Sequence, residues 1–112
     1  MAITVNLPNT PGEAFTFNAT SADVSGTEEL KAAPTAQSIY LEWILINSVA
    51  AITVTILDAA ADLLGPFNFA ATAPGFVCMK FDPPIKLTAE QALNVDASGA
   101  GAVCVAGQGF LR

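Results

Sequence analysis

The stretch Leu41 to Ala59, LEWILINSVAAITVTILDA, carries no charge between Glu42 and Asp58. A bilayer-spanning helix needs about 20 apolar residues in succession. The uncharged run Trp43–Leu57 has 15, and Asn47, Ser48, Thr53 and Thr55 interrupt it. A membrane anchor is therefore excluded. Between helix and strand, residue type decides. Ile39, Ile44, Ile46, Val49, Ile52, Thr53, Val54, Thr55 and Ile56 are β-branched, and Tyr40 and Trp43 are aromatic. Such side chains lose rotamer freedom in a helix and fit a pleated surface. Asn47-Ser48 breaks the run as a turn does. The expectation is a hairpin, with residues 38–47 outgoing, a tight connection at 48–50 and residues 51–58 returning.

Period-two alternation assigns the faces. With Glu42 in water, Leu41, Trp43 and Leu45 point to the core. Ile44 and Ile46 then fall on the opposite face. On the return strand Ile52, Val54 and Ile56 point in, while Thr53 and Thr55 point out. Two outward isoleucines imply that something covers that face, either a second subunit or a loop folded back.

The same alternation recurs along the chain in short runs. Ile3, Val5 and Leu7 form one, closed by Asn9-Thr10-Pro11-Gly12; Phe15, Phe17 and Ala19 form the next. Phe67 and Phe69 follow Gly65-Pro66, and Val77, Met79 and Phe81 are stopped by Asp82-Pro83-Pro84. Ile85 with Leu87, Leu93 with Val95, and Val103 with Val105 complete the series. Eight or nine short strands with turn residues between them predict an all-β chain, a single antiparallel β-sandwich that is jelly-roll-like. Residues 27–30 and 58–64 are expected to be loops with at most one helical turn each. Residues 1–37 supply N-terminal strands and a long loop or arm of the same domain, and residues 38–112 form the sandwich core.

Composition bears on partners. Hydrophobic residues make up 53% and charged residues 12%, against about a quarter charged in an ordinary soluble domain. Too little polar surface is available to cover a free monomer, which points to assembly. Ten acids against Lys31, Lys80, Lys86 and Arg112 give a net charge of −6. That balance excludes nucleic acid as a partner, since phosphate binding needs a basic footprint. It also excludes docking on an anionic membrane. The N-terminal MAITVNLP lacks the basic and apolar regions of a secretory signal, so assembly is expected in a cytoplasm with Cys78 and Cys104 as thiols.

Little chemistry is encoded. The absence of histidine removes Ser/His and Cys/His nucleophile pairs and His-based zinc sites. Cys78 and Cys104 make no metal motif, and both fall on the less buried parity of their strands. Asp58 and Asp62 lack the alternating ligands, glycine and closing glutamate of a calcium loop. Glu42, Asp82 and Glu90 are the carboxylates a glycosidase pair would draw on. No catalytic residue, metal or cofactor is expected, and the chain does not read as an enzyme.

Three segments carry a family resemblance: IYLEWILINSVAAITVTILDA (Ile39 to Ala59), GPFNFAATAPGFVCMKFDPPIKL (Gly65 to Leu87) and AEQALNVDASGAGAVCVAGQGF (Ala89 to Phe110). A glycine before an apolar strand, a proline at its end, then A-L-N-V and a small-residue turn before the last strand resemble small virion structural proteins of tailed bacteriophages. The likeness covers about two-thirds of the chain and consists of fold-determining positions. Glu90-Gln91 stands where that group has a glycine in the turn. The resemblance implies a β-sandwich of the capsid decoration (cement) type, often a homotrimer. Such a protein sits on the capsid exterior at local three-fold positions, with the major capsid protein as partner; a small fibre or tail part, or a receptor- or carbohydrate-binding module, is the alternative. On that reading Tyr40, Ile44 and Ile46 are the expected trimer contact, and Ile3, Val5, Leu7 and Phe15 the expected capsid contact.

Overall fold

The computed structural model describes residues 13–21, 26–69, 74–99 and 101–112. Eight strands run in chain order: β1 (Glu13–Ser21), β2 (Gly26–Lys31), β3 (Ile39–Ser48), β4 (Thr53–Asp58), β5 (Ala61–Asn68), β6 (Gly75–Lys86), β7 (Leu93–Ala97) and β8 (Val103–Leu111). They form two four-stranded antiparallel sheets, ordered β1-β8-β3-β6 and β2-β7-β4-β5. Four of the pairings are nested: β1 with β8, β2 with β7, β3 with β6 and β4 with β5. The chain thus behaves as one long hairpin with its tip at the β4–β5 turn. Rolling that hairpin up adds the pairings β3 with β8 and β4 with β7 and closes the two sheets. This is the jelly roll the alternation predicted.

The core lies between the sheets. Ile39, Leu41, Ile44 and Ile46 of β3 meet Val54 and Ile56 of β4 and Leu93 and Val95 of β7, and all are buried. Phe17, Val103 and Val105 complete the layer from the first sheet. Each such side chain contributes about 1.5–3 kcal/mol by leaving water, so these apolar residues hold the two sheets together.

The predicted hairpin at 38–58 is corrected. β3 and β4 exist, yet they belong to different sheets. The Ser48 side chain sets the crossing. Its Oγ donates to the Ala50 carbonyl at 2.9 Å and accepts from the Ala50 N–H at 3.2 Å. That closed local turn satisfies a buried hydroxyl and sends the chain across the sandwich, where the apolar faces of both strands enter one core. Residues 27–30 are strand, within β2, and Ala61–Leu64 opens β5 after a two-residue turn; neither is a helical turn. Asp82-Pro83-Pro84 does not stop its strand. β6 continues through both prolines because it is an edge strand, where a missing N–H costs no ladder bond. Ile3, Val5 and Leu7 lie outside the described residues.

The face assignment on β3 is also corrected. A register shift between Leu41 and Trp43 places a bulge at Glu42, and it is present against both β6 and β8. One extra residue inverts the alternation. Leu41 and Ile44 therefore both point inward, and Ile44 and Ile46 have 0% exposure. Trp43 and Leu45, expected inside, are half-buried on the outer face. Ile52, Val54 and Ile56 point in as the alternation predicts.

The turn at Glu90 explains its departure from the glycine of the resembling group. Glu90 has φ 61°, the left-handed region, and remains there because its groups are engaged. Its N–H donates to the Gln37 carbonyl at 2.8 Å, and its Oε1 accepts from the Ala36 N–H at 3.1 Å.

Candidate self-assembly face

The outer face of sheet β1-β8-β3-β6 is built by cross-strand rows that the register fixes. One row runs Ala14, Phe110, Tyr40, Lys86; the next runs Thr16, Gln108, Trp43, Lys80. Then come Asn18, Ala106, Leu45 and Cys78, followed by Cys104, Asn47 and Phe76. Aromatic and small side chains therefore occupy the middle of the face. Tyr40 stacks on Phe110, with ring centroids 4.9 Å apart and planes inclined by 6°. The Lys86 Nζ lies 6.0 Å from the Tyr40 centroid. Phe76, at the opposite end, is 70% exposed, the most exposed large apolar side chain among the described residues.

Charge is scarce on this face. Lys80 and Lys86 both project from β6, and Glu42 at the bulge accepts from Gln108 Nε2 at 3.3 Å. The outer face of the other sheet differs in kind. It presents Thr27, Glu29, Asn94, Asp96, Thr55 and Asp62. A shallow hollow of about 530 Å³ lies there, with Leu57 at its base and Asp62, Gln91, Asn94 and Asp96 around it. The sandwich thus has one acidic, hydroxyl- and amide-rich face and one that carries its outward aromatic side chains, with lysines along β6.

Of the residues expected at a trimer contact, Tyr40 lies on the apolar outer face, whereas Ile44 and Ile46 are core residues and reach no surface. Trp43 and Leu45 take their place. A signal for this was present in the sequence: Ile39 and Leu41 keep one parity, Ile44 and Ile46 the other, and the break falls at Glu42-Trp43. Phe15 points between the sheets, half-buried, with the Lys31 Nζ 4.9 Å from its ring centroid; it offers only part of its ring to a partner.

Cys78 is exposed and Cys104 half-buried, neither in a disulfide. The carboxylates have separate duties. Asp58 Oδ2 accepts from the Thr88 N–H at 2.9 Å and from Thr88 Oγ1 at 2.8 Å, and its buried Oδ1 has no partner. Glu42 is held by Gln108 and Glu90 by Ala36. Among the described residues no group of three His, Cys, Asp or Glu side chains is placed to hold a metal ion, and no helix is long and apolar enough to cross a membrane.

No protein-family model matches the chain, and neither a curated protein nor a solved structure matches it.

Proposed function

We propose that this chain is a structural protein of a phage virion, a capsid decoration protein that trimerises and stabilises the head at local three-fold positions. One observation carries the proposal: a jelly roll whose outer β1-β8-β3-β6 face sets Tyr40, Trp43, Leu45, Ala106 and the 70% exposed Phe76 among the polar Thr16, Asn18, Asn47 and Gln108, with Lys80, Lys86 and Glu42 as its charges. A face of this kind on a charge-poor chain fits burial against another protein surface. Jelly rolls recur in capsid proteins, and the resemblance of residues 39–110 to tailed-phage virion proteins points the same way.

The physical logic is valency. A trimer matching a three-fold site engages three shell subunits, so after the first contact the others become intramolecular. Binding to the closed shell and not to its dissociated parts adds free energy to the shell alone. The segment before β1, with Ile3, Val5 and Leu7, is the proposed capsid contact, aided by the exposed part of Phe15. The test is the copy number of this protein in purified particles relative to the major coat protein. Copies in the hundreds support decoration; none at all refutes it.

A second reading, a carbohydrate- or receptor-binding module of a fibre or tail part, is favoured by the hollow beside Asp62, Asn94 and Asp96. Carboxylate and amide groups over an apolar base suit sugar hydroxyls. A glycan array with hits lost in Asp96→Ala, and a copy number of only a handful per particle, would replace the first reading with this one.

A further inference from the structure

We infer that the free edge of β1 is a strand-acceptor site and that residues 3–8 of the same chain occupy it, running antiparallel to β1 as a fifth strand of the sheet. The inference goes beyond the decoration reading. It concerns the chain by itself, so the copy number per particle bears on that reading and not on this one.

β1 is the unguarded edge of the sandwich. It pairs with β8 alone, without interruption from Glu13↔Leu111 to Ser21↔Val103. On its other side, alternate backbone N–H and C=O groups point away from the sheet and form a template for another strand. Exposed edges are normally blunted by proline, lysine or a bulge. The other three edges follow that rule. β2 ends in Lys31 and has a register shift, β5 holds Pro66 and shifts, and β6 holds Lys80, Pro83, Pro84, Lys86 and a shift. β1 (EAFTFNATS) has none of these, and Glu13 at its start is its one charge. A strand that covers this edge accounts for the difference.

The covering strand is next to it in the sequence. MAITVNLPNTPG runs directly into Glu13, and consecutive strands usually lie side by side. Ile3, Val5 and Leu7 alternate with Thr4 and Asn6, the period of a strand with one apolar side, and no side chain in the segment is charged. Asn9-Thr10-Pro11-Gly12 is a connection of turn-forming residues with glycine last, where a loop of this length takes a left-handed residue. Pro8 suits an outermost strand, whose outward N–H has no ladder bond to lose, and it would guard the new edge.

The connection fixes the register. With residues 9–12 as the loop, Pro8 stands opposite Glu13, so Leu7 meets Ala14, Val5 meets Thr16 and Ile3 meets Asn18. Opposed residues share a face. Ala14, Thr16 and Asn18 begin the outer rows that run through Phe110, Gln108 and Ala106 to Tyr40, Trp43 and Leu45. The three apolar side chains therefore widen the face that carries the outward aromatic residues. An open hollow of about 300 Å³ lined by Ala14, Phe15, Thr16 and Gln108 lies beside the positions assigned to Leu7 and Val5. Asn6 falls opposite Phe15, at the rim of the sandwich where the Lys31 Nζ stands 4.9 Å from the Phe15 ring centroid, a place that suits a polar side chain.

Paired cysteines test the contact in the full chain, with Cys78→Ser and Cys104→Ser as background. Val5→Cys with Thr16→Cys should close a disulfide within the chain on mild oxidation, at a rate independent of protein concentration and without covalent dimers. Thr4→Cys with Thr16→Cys, on opposite faces, should close at least about tenfold more slowly. Hydrogen exchange on the unsubstituted chain is the second measurement: alternate β1 amides should exchange about tenfold or more slowly than in a chain lacking residues 1–12. Covalent dimers from the first pair would put the strand on another copy and overturn the same-chain contact. Faster closure of the Thr4 pair would overturn the outer-face register, and equal closure of both pairs would overturn any fixed pairing. β1 amides that exchange alike with and without residues 1–12 would overturn the acceptor site itself.

Discussion

Phe17 lies across Gly107 on the inner side of the sheet, so close that a Cβ at 107 would stand 2.4 Å from Phe17 Cζ and 2.5 Å from the Trp43 carbonyl oxygen. The same relation holds one row along, where a Cβ at 109 would meet the Tyr40 carbonyl oxygen at 2.2 Å and Phe15 Cζ at 3.1 Å. Around the β3 bulge at Glu42 the backbone carbonyls of Tyr40 and Trp43 come close to β8, and the two aromatic rings from β1 take the space that side chains of β8 would fill. Gly107→Ala must displace backbone as well as a ring and is expected to cost about 2–3 kcal/mol. Chemical denaturation measures this; Gln108→Ala, with its side chain on the outer face, is the control and should shift the midpoint far less.

Ile44 and Ile46 separate stability from assembly. Ile44→Ala should destabilise the fold by about 3 kcal/mol, because it opens a cavity between the sheets. Leu45→Ser, one residue away on the outer face, should cost under about 1 kcal/mol yet reduce self-association. Denaturation midpoints and sedimentation on the same two variants check both halves.

Cys78 and Cys104 should not bridge within one chain. β6 and β8 are separated by β3, which puts the two strands about 9.6 Å apart, beyond the ~7 Å Cα separation a disulfide tolerates. Oxidised wild-type monomer should keep two titratable thiols. In the assembled form, maleimide labelling of the exposed Cys78 should slow by at least about tenfold relative to the unfolded chain, since the next copy covers it.

Removal of residues 1–12 should leave the sandwich cooperative, because the eight strands of the described residues begin at or after Glu13 and pair among themselves. Binding to purified shells should fall below detection in the same variant. Retained shell binding would move the capsid contact onto the sandwich itself.

Much of the fold was legible because one face of nearly every strand enters the core. Alternation in Phe15-Phe17, Leu93-Val95 and Val103-Val105 identified real strands with the right faces. Three things were hidden. The bulge shows in the sequence only as the change of parity between Ile39-Leu41 and Ile44-Ile46, and strict alternation from Glu42 passes over it, so the faces of Trp43 and Ile44 were inverted. A tight turn between two apolar strands reads alike whether the strands pair or cross between sheets, which made β3–β4 look like a hairpin. Polar β2 (GTEELK) is an edge strand, and its Gly, Glu and Lys residues carry little strand signal. The candidate face was legible only through Tyr40. Its other members follow from the register and not from the order of residues along the chain.

The most direct test of the whole account is the native mass of the purified full chain in solution, measured across a range of concentrations at low ionic strength. A species of three times the 11.5 kDa chain mass is expected, dissociating in Leu45→Ser. A chain that stays at 11.5 kDa throughout, with Cys78 labelled as fast as in the unfolded state, would contradict it.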